Sequence, residues 1–401
     1  MATIATGVTP SLSFSERHLA PYRRITSSGQ FIPEIDGFRF IAIFSVFIFH
    51  LAGDVMRNSP LGYGASLRSN PLFAATQVLD IGVPIFFVIS GFILGMPFAA
   101  AHLQQRRPVS LKKYFLRRVT RLEPPYILCL LLFFVLKIIW AKGSAAGLFP
   151  NLLASLFYTH NIIYGVPSAI DFVAWSLEIE IQFYLLAPLI ALLFAIQRPY
   201  VRRLIMVSLI LGATVIGSLG AGNVRFQLSI LGYGQFFLVG FLLVELYLSG
   251  GERRRQDPRW DLVSLAGWPL LLVSLVRGWP LTNWASAWLI AVLFIAGYHG
   301  VVMNRFVSNL WIATIGGMCY TIYLLHNYIV AGVGAHTERF FLGYPFDIRL
   351  LIQSLLIGPV ILLISALYFR FVERPCMNPA WPQRLARAIV GSPSGEGIVV
   401  P

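Results

Sequence analysis

The sequence predicts an all-α integral membrane protein, a single membrane domain of about ten transmembrane helices with both termini in the cytoplasm. Three observations predict it. Hydrophobic residues make up 57% of the 401 residues and charged residues only 12%, about half the charged share of an ordinary soluble domain. Runs of about 20 mostly apolar residues, the length a helix needs to cross the hydrocarbon core, recur along the chain. Lysine and arginine are sorted between the loops. Twenty-two fall on the side of the two termini and 7 on the other, the bias that orients membrane proteins.

Taken in order, the segment 1–32 is polar and rich in Ser and Thr, without the charged start, apolar core and small-residue site of a cleavable signal peptide. It reads as a cytoplasmic tail. Apolar runs follow at 37–56, 77–98, 122–140, 172–196, 204–220, 227–248, 260–277, 284–303, 308–334 and 348–372. Together they define a membrane domain over 33–376, with 377–401 as a second cytoplasmic tail. The stretch 147–165 is too short to span and is broken by Pro150 and Gly165, so it is expected to be re-entrant or interfacial. Trp140, Trp260, Trp268, Trp284 and Trp311 stand near span ends, as interfacial anchors do.

The formal net charge of +14 does not signal nucleic-acid binding, because the basic residues sit in short loops between apolar runs. Cys129, Cys319 and Cys376 have no CxxC or partner spacing, which argues against a disulfide framework or a zinc site. Neither HExxH, a Walker-type loop nor GxGxxG occurs, so no metal, ATP or dinucleotide chemistry is expected. The absence of an internal repeat argues against an inverted-repeat transporter.

Chemistry must then sit on ionisable groups inside the spans, where such groups are costly and functional by default. Arg39 and His50 lie eleven positions apart in FRFIAIFSVFIFH, which places them on one helix face about 16 Å apart along the axis. AWSLEIEIQFYLLAP carries Glu178 and Glu180 on roughly opposite faces, so only one is expected to face a given cavity. Ser176 and Tyr184 flank Glu180 at i−4 and i+4. His326, in CYTIYLLHNY with Tyr323 nearby, falls at a depth comparable with His50. Arg117, Arg118 and Arg121 gather at the cytoplasmic mouth in LKKYFLRRVTRLEPPY, a cluster suited to phosphate groups. There Pro124 and Pro125 are expected to break the regular backbone. Ser90–Gly91 in GVPIFFVISGFIL fits close helix packing or a pocket position.

In this order the segments resemble the acyltransferase-3 family, membrane enzymes that acylate sugars of bacterial surface polysaccharides and, in some members, antibiotics. The resemblance runs over residues 33–376. Arg39 and His50 are similar to its Arg–ten residues–His motif, residues 82–94 to its second-helix signature, and Arg117, Arg118 and Arg121 to Arg-Arg-x-x-Arg. WSLEIEIQFYLLAPL resembles WSLAVEEQFYLLWPL, which puts the retained glutamate at Glu180. CYTIYLLH resembles SYSLYLWH and gives His326, and VERP at 372–375 resembles the closing ERP. The second family glutamate is Ile181 here, and the preceding Ala is Glu178, so Glu178 stands as an alternative. Cys319 replaces the family serine.

The resemblance implies an O-acyltransferase of the bacterial cytoplasmic (inner) membrane. It would move an acyl group, acetyl above all, from cytoplasmic acyl-CoA to a hydroxyl of a sugar or glycan acceptor, free or lipid-linked, with no metal. Arg117, Arg118 and Arg121 would hold the CoA phosphates with Arg39 on the donor's path. His50 would act as general base, Glu180 would orient the histidine, and His326 would donate to the oxyanion or relay an acyl group. No hydrolase-like domain is expected beyond the membrane part. The rival readings are a transporter or flippase of lipid-linked sugars, a non-catalytic membrane interaction protein, and acylation of a small secreted metabolite such as a macrolide.

Overall fold

The computed structural model describes residues 14–25, 31–59, 67, 69–140, 142–250, 256–279, 281–378 and 380–383. Most of both expected tails, and the basic loop 251–255, lie outside the described residues. Within the described residues the chain is helical and contains no strand. That follows from the solvent: in hydrocarbon every backbone N–H and C=O must be bonded inside its own segment, and a helix does this locally.

The long helices are α1 (Pro33–Arg57), α2 (Gly82–Leu103), α3 (Leu111–Ile139), α4 (Trp175–Ile190), α5 (Pro199–Leu219), α6 (Ile230–Ser249), α7 (Arg259–Arg277), α8 (Thr282–His299), α9 (Cys319–Thr337) and α10 (Phe346–Tyr368). Among the described residues, eight helical stretches are long and apolar enough to cross a membrane. Those eight contain α1–α7 and α10. The other two expected spans are helical but depart from the pattern. Residues 284–303 fall on α8, whose apolar part, Trp284–His299, is shorter than a full span. Residues 308–334 are not one helix, because Leu310–Gly317 ends at Met318 and α9 begins afresh at Cys319. The stretch 147–165 is two short helices, Ala145–Leu156 and His160–Tyr164.

Pro124 and Pro125 do not break the backbone. Helix α3 runs through both. A proline removes the N–H that would bond the carbonyl four residues back. For Pro124 that carbonyl belongs to Thr120, and the Trp381 indole N–H donates to it at 2.8 Å. The orphan is satisfied by a distant side chain, a partner that no local pattern could announce, so the arginine cluster is carried on regular helix.

Helix α1 is the hub. It packs against α2, α9, α10 and Leu310–Gly317, and Phe38, Ala42, Leu51, Ala52 and Val55 on it are fully buried. Helices α2 and α6 cross at backbone distance. A Cβ on Gly240 would lie 2.2 Å from the Val88 carbonyl oxygen, and one on Gly91 would lie 2.1 Å from that of Phe237. Gly91 thus belongs to a close crossing, while the neighbouring Ser90 points elsewhere. Gly240→Val should therefore force the two helices apart, with a loss of about 1–3 kcal/mol or more, read as a lowered Tm of the detergent-solubilised protein. Arg202 and Arg203 of α5 pair with the fully buried Glu245 of α6 at 2.6 and 2.9 Å. The leucines of α3 that point away from the bundle, such as Leu128, Leu131 and Leu132, are exposed and suited to lipid.

Candidate active site

Helices α1, α2, α3, α4 and α9 enclose a cavity of about 2510 Å³ that reaches the 104–107 loop, larger than the 300–1,000 Å³ or so of an ordinary small-ligand pocket. Its lining carries Arg24, Arg39, Arg106, Arg107, Lys113, Arg117, Arg118 and Arg121 against only Asp36 and Glu180. This imbalance suits the cavity to a polyanion. The Arg118 guanidinium lies 4.2 Å from the Tyr114 ring centroid and 5.2 Å from that of Tyr184. Stacked in this way, with Nε unbonded, it presents a fixed planar donor fork. Arg121 Nε is likewise buried without a protein partner. Arg117 is the most exposed of the three, its Nε donating to the Lys113 carbonyl at 3.3 Å.

Arg39 is neutralised in a way the motif did not announce. It donates to Asp36 one turn earlier on α1, and Arg24 donates to the same carboxylate oxygen at 2.8 Å. Thr321 of α9 donates to Glu373 at 2.6 Å, and Glu373 is completely buried on the short π-turn Phe369–Glu373 that closes α10. The closing VERP thus ties its glutamate to the helix that carries His326. Asp36 was not singled out from sequence, although its i,i+3 spacing from Arg39 was a signal. Glu373 was marked only as part of the closing VERP, without a role.

Glu180 and Glu178 do point apart. Glu180 lines the cavity and accepts from Ser90 Oγ at 2.5 Å and from the Tyr184 hydroxyl at 2.7 Å. Its hydrogen bonds come from these two and not from either histidine. Glu178 is fully buried on the opposite face and accepts the Asn161 backbone N–H at 2.8 Å, which pins helix His160–Tyr164 to α4. Glu180→Gln should therefore lower turnover with little change in Tm. Glu178→Gln should lower Tm by weakening a buried charge-assisted bond of about 1.5–3 kcal/mol, with the donor KM unmoved. Paired melting curves and steady-state kinetics separate the two.

Deeper in the bundle, His50 of α1 and His326 of α9 come together with ring centroids 5.1 Å apart. His326 is completely buried, and its Nδ1 lies 2.8 Å from the Tyr323 carbonyl and 3.1 Å from that of Ile322. Both partners are acceptors, so Nδ1 carries the proton, and in the neutral ring Nε2 is a bare lone pair. That atom has no hydrogen-bond partner within the protein. His50 is half-buried and meets the Phe172 ring edge-on at 6.3 Å. Neither histidine lines the arginine cavity. Tyr323 stands between, lining the cavity with its ring centroid 5.8 Å from that of His326. Its hydroxyl is shared with Ser176 Oγ at 2.7 Å and donates to the Val173 carbonyl at 2.6 Å. Of the residues singled out from sequence, the structure gathers Arg39, Arg117, Arg118, Arg121, Ser90, Glu180 and Tyr184 at the cavity. It joins His50 to His326 and sets Tyr323 and Ser176 at the junction. Glu178 stands apart.

A cavity suited to a polyanion and a pair of imidazoles, meeting at one tyrosine, can hold a phosphate-bearing donor at one end and take a proton from a hydroxyl at the other. Among the described residues no group of three or more His, Cys, Asp or Glu converges as a metal site would.

Comparison with known proteins accords with this geometry. A family model described as an acyltransferase domain matches residues 32–370. An O-acetyltransferase OatA of Staphylococcus aureus (strain NCTC 8325) is 23% identical over 386 residues, covering 87% of this chain and 57% of that protein. A peptidoglycan O-acetyltransferase OatA of Listeria monocytogenes is 28% identical over 178 residues, covering 42% of this chain and 25% of that protein. The chain thus spans a little over half the length of the Staphylococcus relative. No solved structure matches it.

Proposed function

The chain belongs to the acyltransferase-3 family, over residues 32–370, and from that premise we propose that it is a membrane O-acyltransferase that moves an acetyl group from acetyl-CoA to a hydroxyl of a glycan. The observation that carries the reading is the junction at Tyr323, where the arginine-lined cavity ends beside the His50–His326 pair. The relatives' names, O-acetyltransferase and peptidoglycan O-acetyltransferase, support acetyl as the group and a cell-wall glycan as the acceptor.

In this reading Arg117, Arg118 and Arg121 hold the donor's phosphates through charge-assisted bonds. On the same reading this end faces the cytoplasmic side of a bacterial inner membrane, an orientation that the charge bias of the loops supports. Arg39, held by Asp36, lines the way in, and the pantetheine arm carries the thioester to Tyr323. The acceptor approaches from the opposite side. A hydroxyl lodged between the two imidazoles gives its proton to His50 as its oxygen attacks the thioester carbonyl. The tetrahedral adduct collapses with cleavage of the C–S bond, and the proton returns to the thiolate, leaving ester and free CoA. His326, with its proton on Nδ1 facing backbone, is an acceptor at Nε2. It therefore steadies the hydroxyl or the imidazolium rather than donating to an oxyanion. Glu180, fixed by Ser90 and Tyr184, serves the donor side of the junction.

The test is consumption of radiolabelled acetyl-CoA by the purified protein with a peptidoglycan fragment. Labelled ester on the glycan is the expected outcome. A protein that leaves acetyl-CoA intact while moving lipid-linked sugar across a vesicle membrane would overturn the reading in favour of a flippase.

A further inference from the structure

Asp171 is completely buried, and neither carboxylate oxygen has a hydrogen-bond partner within the protein. It lies in the segment between helix His160–Tyr164 and α4. The nearest compensation is the Val173 backbone N–H and the charge of Lys137, and burial pushes the carboxyl up to about 7. A buried carboxylate so poorly supplied with donors is costly, and its retention calls for an explanation.

Its setting points to what that is. The backbone on either side is clamped to the helix of His326: Tyr328 donates to the Ile170 carbonyl and Tyr323 to the Val173 carbonyl. These two tyrosines stand three residues before and two after His326. The next residue, Phe172, is half exposed and packs edge-on against His50. Asp171 is thus fixed by rigid neighbours, next in the chain to the ring that meets His50 and between two tyrosine clamps on the helix of His326. No residue of 165–174 lines the arginine cavity. The surroundings are aromatic as well: Phe133 stacks on Tyr328 at 3.7 Å, and the Lys137 ammonium lies 6.0 Å from the same ring. A carboxylate among aromatic faces, with a single backbone N–H as its nearest donor, complements a neutral ligand that brings hydroxyl donors and an apolar ring face.

We propose that Asp171 is a binding residue of the acceptor subsite, accepting a hydrogen bond from a sugar hydroxyl next to the one acylated at His50. This rests on the acyl-transfer reading above and names the side from which the acceptor is held. The segment 165–172, with Phe172 at its exposed edge, is the wall past which the sugar enters.

The test uses the full-length purified protein, acetyl-CoA, a chitotetraose acceptor and its monodeoxy analogues. Asp171→Leu removes an unpaired buried charge and keeps the branched shape in a larger volume, so the gain from the lost charge offsets the cost of overpacking and its Tm should stay close to that of the wild type. Its acceptor KM should rise at least tenfold while its donor KM stays within twofold. One monodeoxy analogue should be as poor a ligand for the wild type as chitotetraose is for the variant, and Asp171→Leu should no longer distinguish the two. Direct binding of chitotetraose, measured by calorimetry without acetyl-CoA, gives the same comparison when no turnover occurs. Loss of acetyl-CoA consumption in the wild type would therefore sink the acyl-transfer reading, and calorimetry would still decide the role of Asp171. An unchanged acceptor affinity in Asp171→Leu overturns the proposal. So does a fall in Tm with donor and acceptor constants worsening together in both Asp171→Leu and Asp171→Asn, which marks a structural residue.

Discussion

His50→Ala is expected to lower acyl transfer by about two to four orders of magnitude, the usual worth of a positioned general base, with the donor KM unchanged. The split follows from the geometry. His50 lies beyond Tyr323 and does not line the arginine cavity, so its removal leaves the donor's contacts intact. The ring is half-buried, and the alanine variant should fold, as a melting curve will check. His326→Ala should cost transfer as well. It should also lower Tm, because a completely buried ring with two backbone partners is removed from α9. Steady-state kinetics with labelled acetyl-CoA measure both. A His50→Ala enzyme with full activity removes the base from the account.

Arg118→Ala is expected to raise the donor KM about 10- to 100-fold, the loss of one charge-assisted phosphate contact of about 1.5–3 kcal/mol. The turnover number should change much less. Arg118→Lys should not restore affinity, because the guanidinium lies over the Tyr114 and Tyr184 rings, and a lysine ammonium offers neither the stacking nor the fork. Raising the ionic strength should narrow the gap between wild type and variant, since contacts at an open cavity are screened. Equal donor affinity in Arg118→Ala and wild type would mean that the cluster serves membrane anchoring instead.

The membrane fold was legible because apolar run length and charge sorting are one-dimensional properties. Where it was not legible, a tertiary partner decided. The prolines of α3 look like a break until Trp381 supplies the donor for the Thr120 carbonyl. Residues 308–334 read as one span, yet the helix restarts at Cys319, where a Cβ on Gly316 would strike the Asp36 carbonyl of α1 at 1.7 Å. A close approach of two backbones leaves no hydrophobicity signal.

Periodicity placed Glu178 and Glu180 on opposite faces but could not say which faced a cavity. Helix spacing likewise put Arg39 and His50 on one face. It could not show that a tyrosine from α9 separates their surroundings, nor that Asp36 already neutralises Arg39. Asp171 gave no signal at all. It precedes a span, in a segment without periodicity, and its meaning comes from missing hydrogen-bond partners, which only coordinates reveal.

The central claim is a single path from an arginine-lined donor site to a histidine pair reached from the other side. Proteoliposomes of uniform orientation test it directly, with labelled acetyl-CoA confined to the arginine side and a membrane-impermeant sugar acceptor to the other. The account predicts label on the acceptor in this arrangement and none with the two compartments exchanged. Label that forms only when donor and acceptor share one compartment would contradict it.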